Sequence, residues 1–183
     1  KVIESALMGL DRLTEEAVRN VQAAKKPGAK APDRLACGCA GTQVRTLAQE
    51  EAGQDAPAQP GRLQNWPVQL QLVPVRAPYF DGCDLLIAAD CTAYACGSFH
   101  ADFIRGHVTL IGCPKLDRAD YEEKLTAILM ENNVRSITLT RMEVPCCGGL
   151  EYAARQAVEA SGKSIPMRVV TFMADGKLLP QDA

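Results

Sequence analysis

"DLLIAAD", residues 84–90, decides the fold. Leu85 to Ala89 form an uninterrupted apolar run between two aspartates. A strand with one wet face alternates apolar and polar residues. A continuous run therefore points to a strand covered on both faces, as in a parallel sheet. "HVTLIG" (107–112), "VRSITLTRMEV" (134–144) and "MRVVTFM" (167–173) read as further strands. Upstream, "PVQLQLV" (67–73) alternates like another. Between the strands, "SFHADFIRG" (98–106) reads as a short helix closed by Gly106. "DRADYEEKLTAILMENN" (117–133) reads as a long amphipathic helix capped by Asp117, and "GGLEYAARQAVEASG" (148–162) as a helix capped at Gly162.

Strands alternating with helices predict an open three-layer α/β/α sandwich with a mostly parallel sheet, flavodoxin- or Rossmann-like, and right-handed crossovers. The chain is too short for an eight-stranded barrel. The predicted α/β domain spans residues 31–183. It includes "RLACGC" (34–39) as a short strand, "AGTQVRTLAQEEAG" (40–53) as a helix stopped by Gly53, and "QDAPAQPGR" (54–62) as a loop. Residues 1–30 read as an N-terminal helix and linker. Thr14 caps that helix, and the linker is basic and rich in Gly and Pro.

At 183 residues and 47% hydrophobic, the chain can bury a real core. A net charge of −2 and a pI near 5.7 speak against nucleic acid as a partner. No window resembles a membrane span. The opening "KVIESALMGL" lacks an initiator Met and a signal pattern, so a processed, truncated or partly disordered start and a cytoplasmic location are expected.

Eight cysteines stand at positions 37, 39, 83, 91, 96, 113, 146 and 147. In a reducing compartment such density favours metal or cluster ligands over disulfides. Adjacent Cys146 and Cys147, within "EVPCCGGL" (143–150), are poorly placed to bond each other. Cys37 and Cys39 end one predicted strand, and Cys91, Cys113 and the doublet each follow another. Ligand sites in open α/β sheets lie beyond the carboxyl ends of the strands. Cys37, Cys39, Cys91, Cys113, Cys146 and Cys147 are therefore the predicted metal and cofactor ligands. Helix N-termini following these turns are expected to lower the thiol pKa values. Cysteines dispersed along the chain suit an iron–sulfur cluster, [4Fe-4S] or larger. Zinc usually draws on compact C-x2-C knuckles, which are lacking here.

Several neighbours stay open. Cys83 precedes its strand and reads as structural. Cys96 is ligand or bystander. His100 is a ligand, a proton donor or a backbone-bonded residue, and His107 sits at the wrong edge. Asp90 and Glu143 either move protons or hydrogen-bond the ligands, and Lys115 brings positive charge or is simply solvated. No G-x-G-x-x-G or P-loop is present.

Through "RLQNWPVQLQLVPVRAPYFDGCDLLIAADC", "GCPKLD" and "MEVPCCGGL", residues 35–175 resemble bacterial iron–sulfur-binding proteins of anaerobes, of 4Fe-4S ferredoxin type. The resemblance implies a cluster held by the cysteines of these motifs and a redox partner such as a ferredoxin. Family members commonly carry an N-terminal ferredoxin domain with C-x2-C-x2-C-x3-C-P runs, and this chain has none. "CCG" is also similar to the cysteine-rich domains of heterodisulfide reductase, but one copy does not carry that activity over. The expected function is electron transfer or small-molecule reduction. A cluster or metal carrier and a zinc-stabilised interaction module are the alternatives.

Overall fold

The computed structural model describes residues 60–180. The elements expected before residue 54, together with Cys37 and Cys39, lie outside the described residues.

The described chain runs β1 (Asp84–Ala89), α1 (Asp90–Ala95), β2 (Val108–Gly112), α2 (Tyr121–Glu131), β3 (Ser136–Met142), α3 (Gly148–Ala160) and β4 (Met167–Phe172). The four strands form one parallel sheet in the order β2-β1-β3-β4. The predicted α/β architecture is therefore present. From β1 the chain steps to one side, and from β2 it returns past β1 to β3 and β4. Right-handed crossovers then put residues 90–107 on one face and α2 and α3 on the other. Accordingly α2 and α3 pack together. Phe99 and Phe103 stack on the opposite face, with ring centroids 6.1 and 5.3 Å from Phe172.

The run that announced the sheet lies at its centre. Leu85, Leu86 and Ile87 are consecutive, so they point to alternate faces, and each is at most 1% exposed. Burying each such side chain contributes about 1.5–3 kcal/mol. None of the helices among the described residues is long and apolar enough to cross a membrane.

Four local expectations need correction. "PVQLQLV" does not form a strand: only Gln69 bridges to Ile111, and the chain then turns because the Leu72 and Val73 amides both donate to the Gln69 carbonyl. Asn65 clamps this segment to the sheet edge. Its side chain accepts from the Thr109 amide at 2.8 Å and donates to the Thr109 carbonyl at 3.0 Å. The cap of α2 is Asp120, whose carboxylate accepts from the Glu123 amide at 3.0 Å. Asp117 is spent on other partners, described below. Residues 98–106 form a five-residue π-turn, His100–Ile104, rather than an α-helix. Finally, α1 begins directly after β1, so Cys91 lies in a helix and Cys96 is its C-cap.

A candidate cysteine site at the carboxyl edge of the sheet

β1 and β3 are neighbours whose outgoing connections leave toward opposite faces. Such a switch point opens a crevice beyond the strand ends. Ala88 pairs with both Ile111 and Thr140, which sets the three strand ends level. Cys91 is the second residue of α1, and Cys113 follows β2 directly. Cys146 and Cys147 occupy a 3-10 turn, Pro145–Cys147, between β3 and α3. Pro145 suits that first-turn position, since its ring fixes φ and no amide is lost from the sheet.

On a regular strand, adjacent side chains diverge. In the 3-10 turn they lie close enough for Cys146 to act on the Cys147 thiol. The four described ligand candidates act on one another. Cys91 feels Cys113 and Cys146, and Cys147 feels Cys146 and Cys91. Their convergence follows from four residues on three connections.

The Cys91 and Cys147 thiol pKa values run opposite to the helix-terminus expectation. Burial raises Cys147 from 9.0 to about 11, and a hydrogen bond with the Met142 backbone only partly offsets it. Cys91 has a solvent-open surface, yet partial burial of its thiol raises it too, reinforced by Cys113, Asp90 and Cys146. Desolvation and mutual repulsion outweigh the helix ends. α1 has only six residues, and Cys147 is 6% exposed. Cys91 and Cys147 therefore stay protonated near neutral pH unless a cation replaces the protons.

Three ties hold the connections together. Thr92 of α1 meets Thr140 of β3 through their hydroxyls. The Asp117 carboxylate accepts from the Cys113 amide at 3.1 Å and from the Tyr121 hydroxyl. The Tyr121 bond, with help from Cys113 and Gln71, holds the Asp117 carboxyl low against burial. The third tie is Gly149, where an added Cβ would stand 3.3 Å from Pro114. That contact lets the Cys113 connection press on the start of α3. Beside it, an open groove of about 510 Å3 is lined by Pro114, Asp117, Arg118, Tyr121, Gly149 and Ala153.

Asp90 adjoins Cys91, and burial followed by Asp117 raises its carboxyl. Glu143 lies just past β3, with its amide donating to the Phe172 carbonyl at 2.8 Å. Lys115 is exposed on the Cys113 connection. Cys96 contacts Ser98, 3.6 Å away. His100 accepts the Arg62 amide on Nδ1 at 3.1 Å, matching the backbone-bonded reading. His107 and Cys83 lie at the amino edge, where burial, ahead of Asp84, pushes Cys83 up to about 11. Sequence reasoning missed Thr92, Asp117 and Tyr121 as supports. Thr138 and Thr140 in an otherwise apolar run were the available signal that a hydroxyl meets a partner there.

Among the described residues, no group of three or more His, Cys, Asp or Glu side chains is already arranged to hold one metal ion. Cys91 is influenced by Cys113 and Cys146, and Cys147 by Cys146 and Cys91, and thiols are the donors that iron–sulfur clusters take.

The family pattern of the Rossmann-like domain matches residues 77–183, more than half of the chain. The chain belongs to the Rossmann-like domain family. In this Rossmann-like domain the matched span contains Cys91, Cys113, Cys146 and Cys147, and begins after Cys37 and Cys39. An uncharacterized protein of Archaeoglobus fulgidus is 31% identical over 119 residues, covering 64% of this chain and 84% of that protein. No solved structure matches. Neither similarity names a ferredoxin or an iron–sulfur protein.

Proposed function

We propose that this Rossmann-like domain binds an iron–sulfur cluster through Cys91, Cys113, Cys146 and Cys147 and serves in electron transfer or small-molecule reduction. The observation that carries the reading is the placement of these four cysteines on the connections that leave β1, β2 and β3 at the carboxyl edge, beside the β1/β3 switch point. When bound, the cluster accepts and releases single electrons. The chain's own contribution is placement. Thr92–Thr140, Asp117–Cys113 and Gly149–Pro114 hold three connections in register. Burial of Cys147 keeps water from one side. Cys37 and Cys39 are proposed as further ligands from the segment before residue 60. A reducing compartment such as the cytoplasm, and a partner such as a ferredoxin at the open edge, follow from the same reading.

The test is the metal and sulfide content of protein purified without oxygen. Iron and acid-labile sulfide in near-equal amounts, with a brown colour, are expected. Colourless protein carrying stoichiometric zinc, or protein that takes neither metal, would overturn it. Rapid surrender of an assembled cluster to a mild chelator or an apo-acceptor would mark a carrier instead.

A further inference from the structure

β2 runs along one edge of the described sheet. An edge strand presents amides and carbonyls to any chain able to pair with them, and proteins blunt such edges with charge, proline or a covering segment. β2 has the sequence VTLIG, with neither charge nor proline, so its protection must come from elsewhere.

Residues 65–73 supply it. The bridge between Gln69 and Ile111 uses the Val68 carbonyl and the Leu70 amide, each at 2.9 Å from the Ile111 backbone. Continued two residues back, a parallel ladder would meet Thr109 with the Trp66 carbonyl and the Val68 amide. The Asn65 carboxamide stands in their place. Its Oδ1 accepts from the Thr109 amide at 2.8 Å, and its Nδ2 donates to the Thr109 carbonyl at 3.0 Å. A side-chain amide holds the same donor and acceptor as a peptide group, so Asn65 does for Thr109 what a strand would do. Asn65 and Thr109 are both buried. The segment also uses up its own outward groups. Pro67 has no amide, and its carbonyl accepts from Asn65 Nδ2 at 3.0 Å. The Gln69 carbonyl accepts the Leu72 and Val73 amides at 2.9 and 3.0 Å. A regular strand here would have offered those carbonyls as a fresh edge.

We propose that Asn65 is an edge guard, whose carboxamide closes the outer edge of β2 and keeps it from pairing with the β2 of a second copy of this chain. Two identical edges can pair antiparallel about a two-fold axis, so a second copy is the partner that an opened β2 fits. The guard ends the sheet without creating another edge.

The test uses the full chain and compares wild type with three variants by hydrogen exchange and sedimentation. Asn65→Ala removes both Thr109 bonds. Its Thr109 amide is expected to exchange about tenfold faster or more, the factor that about one lost hydrogen bond carries. Its mass is expected to rise with concentration to twice that of wild type under the same conditions. Asn65→Lys removes the same bonds but sets a charge on the edge, so it should exchange as fast without associating. Asn65→Asp keeps the acceptor for the Thr109 amide, so its exchange should fall between wild type and Asn65→Ala. Faster exchange without association in Asn65→Ala would overturn the proposal and leave Asn65 a clamp. Equal association of Asn65→Ala and Asn65→Lys would overturn it too, because a loosened chain rather than an open edge would then be the cause. Unchanged Thr109 exchange would likewise refute it. If Asn65→Ala does not fold, Asn65→Ser takes its place, and failure of both to fold makes Asn65 a folding residue rather than a guard.

Discussion

The hydroxyls of Thr92 and Thr140 lie 3.2 Å apart, and both residues are fully buried. Thr92 also donates to the Ala89 carbonyl at 2.7 Å, which uses its only hydrogen. Thr140 must therefore be the donor in the pair. The contact joins the connection carrying Cys91 to the strand that leads to Cys146 and Cys147, directly beneath the crevice.

That direction makes the two threonines unequal. Thr140→Val removes one bond and should cost about 1 kcal/mol. Thr92→Val removes both bonds and leaves the Thr140 hydroxyl buried without its partner, for a loss of about 2–3 kcal/mol. Denaturant unfolding measures both. Equal losses would contradict the assigned direction.

Thiol chemistry should show the raised pKa values. In the metal-free protein at neutral pH, Cys147 should react with an alkylating agent far more slowly than an unfolded cysteine. Its rate should climb as pH rises toward about 11. Cys147 and Cys83 both hold protons up to about 11, whereas unfolded thiols lose them near 9.0. The unfolded chain then binds fewer protons than the folded one. The stability contribution is full below about pH 9 and is lost as pH rises through about 11. Thermal melts across that window in the Cys83→Ala and Cys147→Ala variants should show a shallower alkaline decline than wild type.

Gly112 ends β2 one residue before Cys113. A Cβ there would stand 2.5 Å from the Tyr121 hydroxyl and 2.9 Å from its Cζ. Gly112→Ala should push Tyr121 off Asp117 and cost about 1–3 kcal/mol, in the range of overpacked cores. Adding Tyr121→Phe should recover only part of the loss, since the ring carbon still clashes. Complete recovery in a double-mutant melt would contradict the ring contact.

Each half of the doublet should matter to the metal content. On the proposed reading, Cys146→Ser and Cys147→Ser should both lose or convert the cluster, because each removes a proposed thiolate ligand. Iron analysis and electron paramagnetic resonance decide this. Full iron with an unchanged spectrum in Cys147→Ser would make Cys147 a packing residue.

The sheet was legible because burial on two faces leaves a mark that needs no tertiary knowledge. Leu85 to Ala89 cannot stand in a half-exposed strand, and four strands with helices between them admit few topologies. The placement of Cys91, Cys113 and the doublet at one edge followed from the same alternation. Sequence did not show what those cysteines experience. The Cys91 and Cys147 thiol pKa values depend on burial and on neighbouring cysteines, and that surrounding exists only after the strands align. Asp117 read as a helix cap because local spacing allowed it. The fold instead turns it toward the Cys113 amide and Tyr121, and Asp120 caps α2. "PVQLQLV" carried the period of a strand, yet a turn that closes on the Gln69 carbonyl ended its pairing after one residue. Periodicity reports which side of an element is covered, and so it determined the sheet and the edge where the cysteines gather. Hydrogen-bond partners and desolvation depend on what arrives from elsewhere in the chain, so only the tertiary structure decided Thr92 with Thr140, Asp117 with Cys113, and the burial of Asp90.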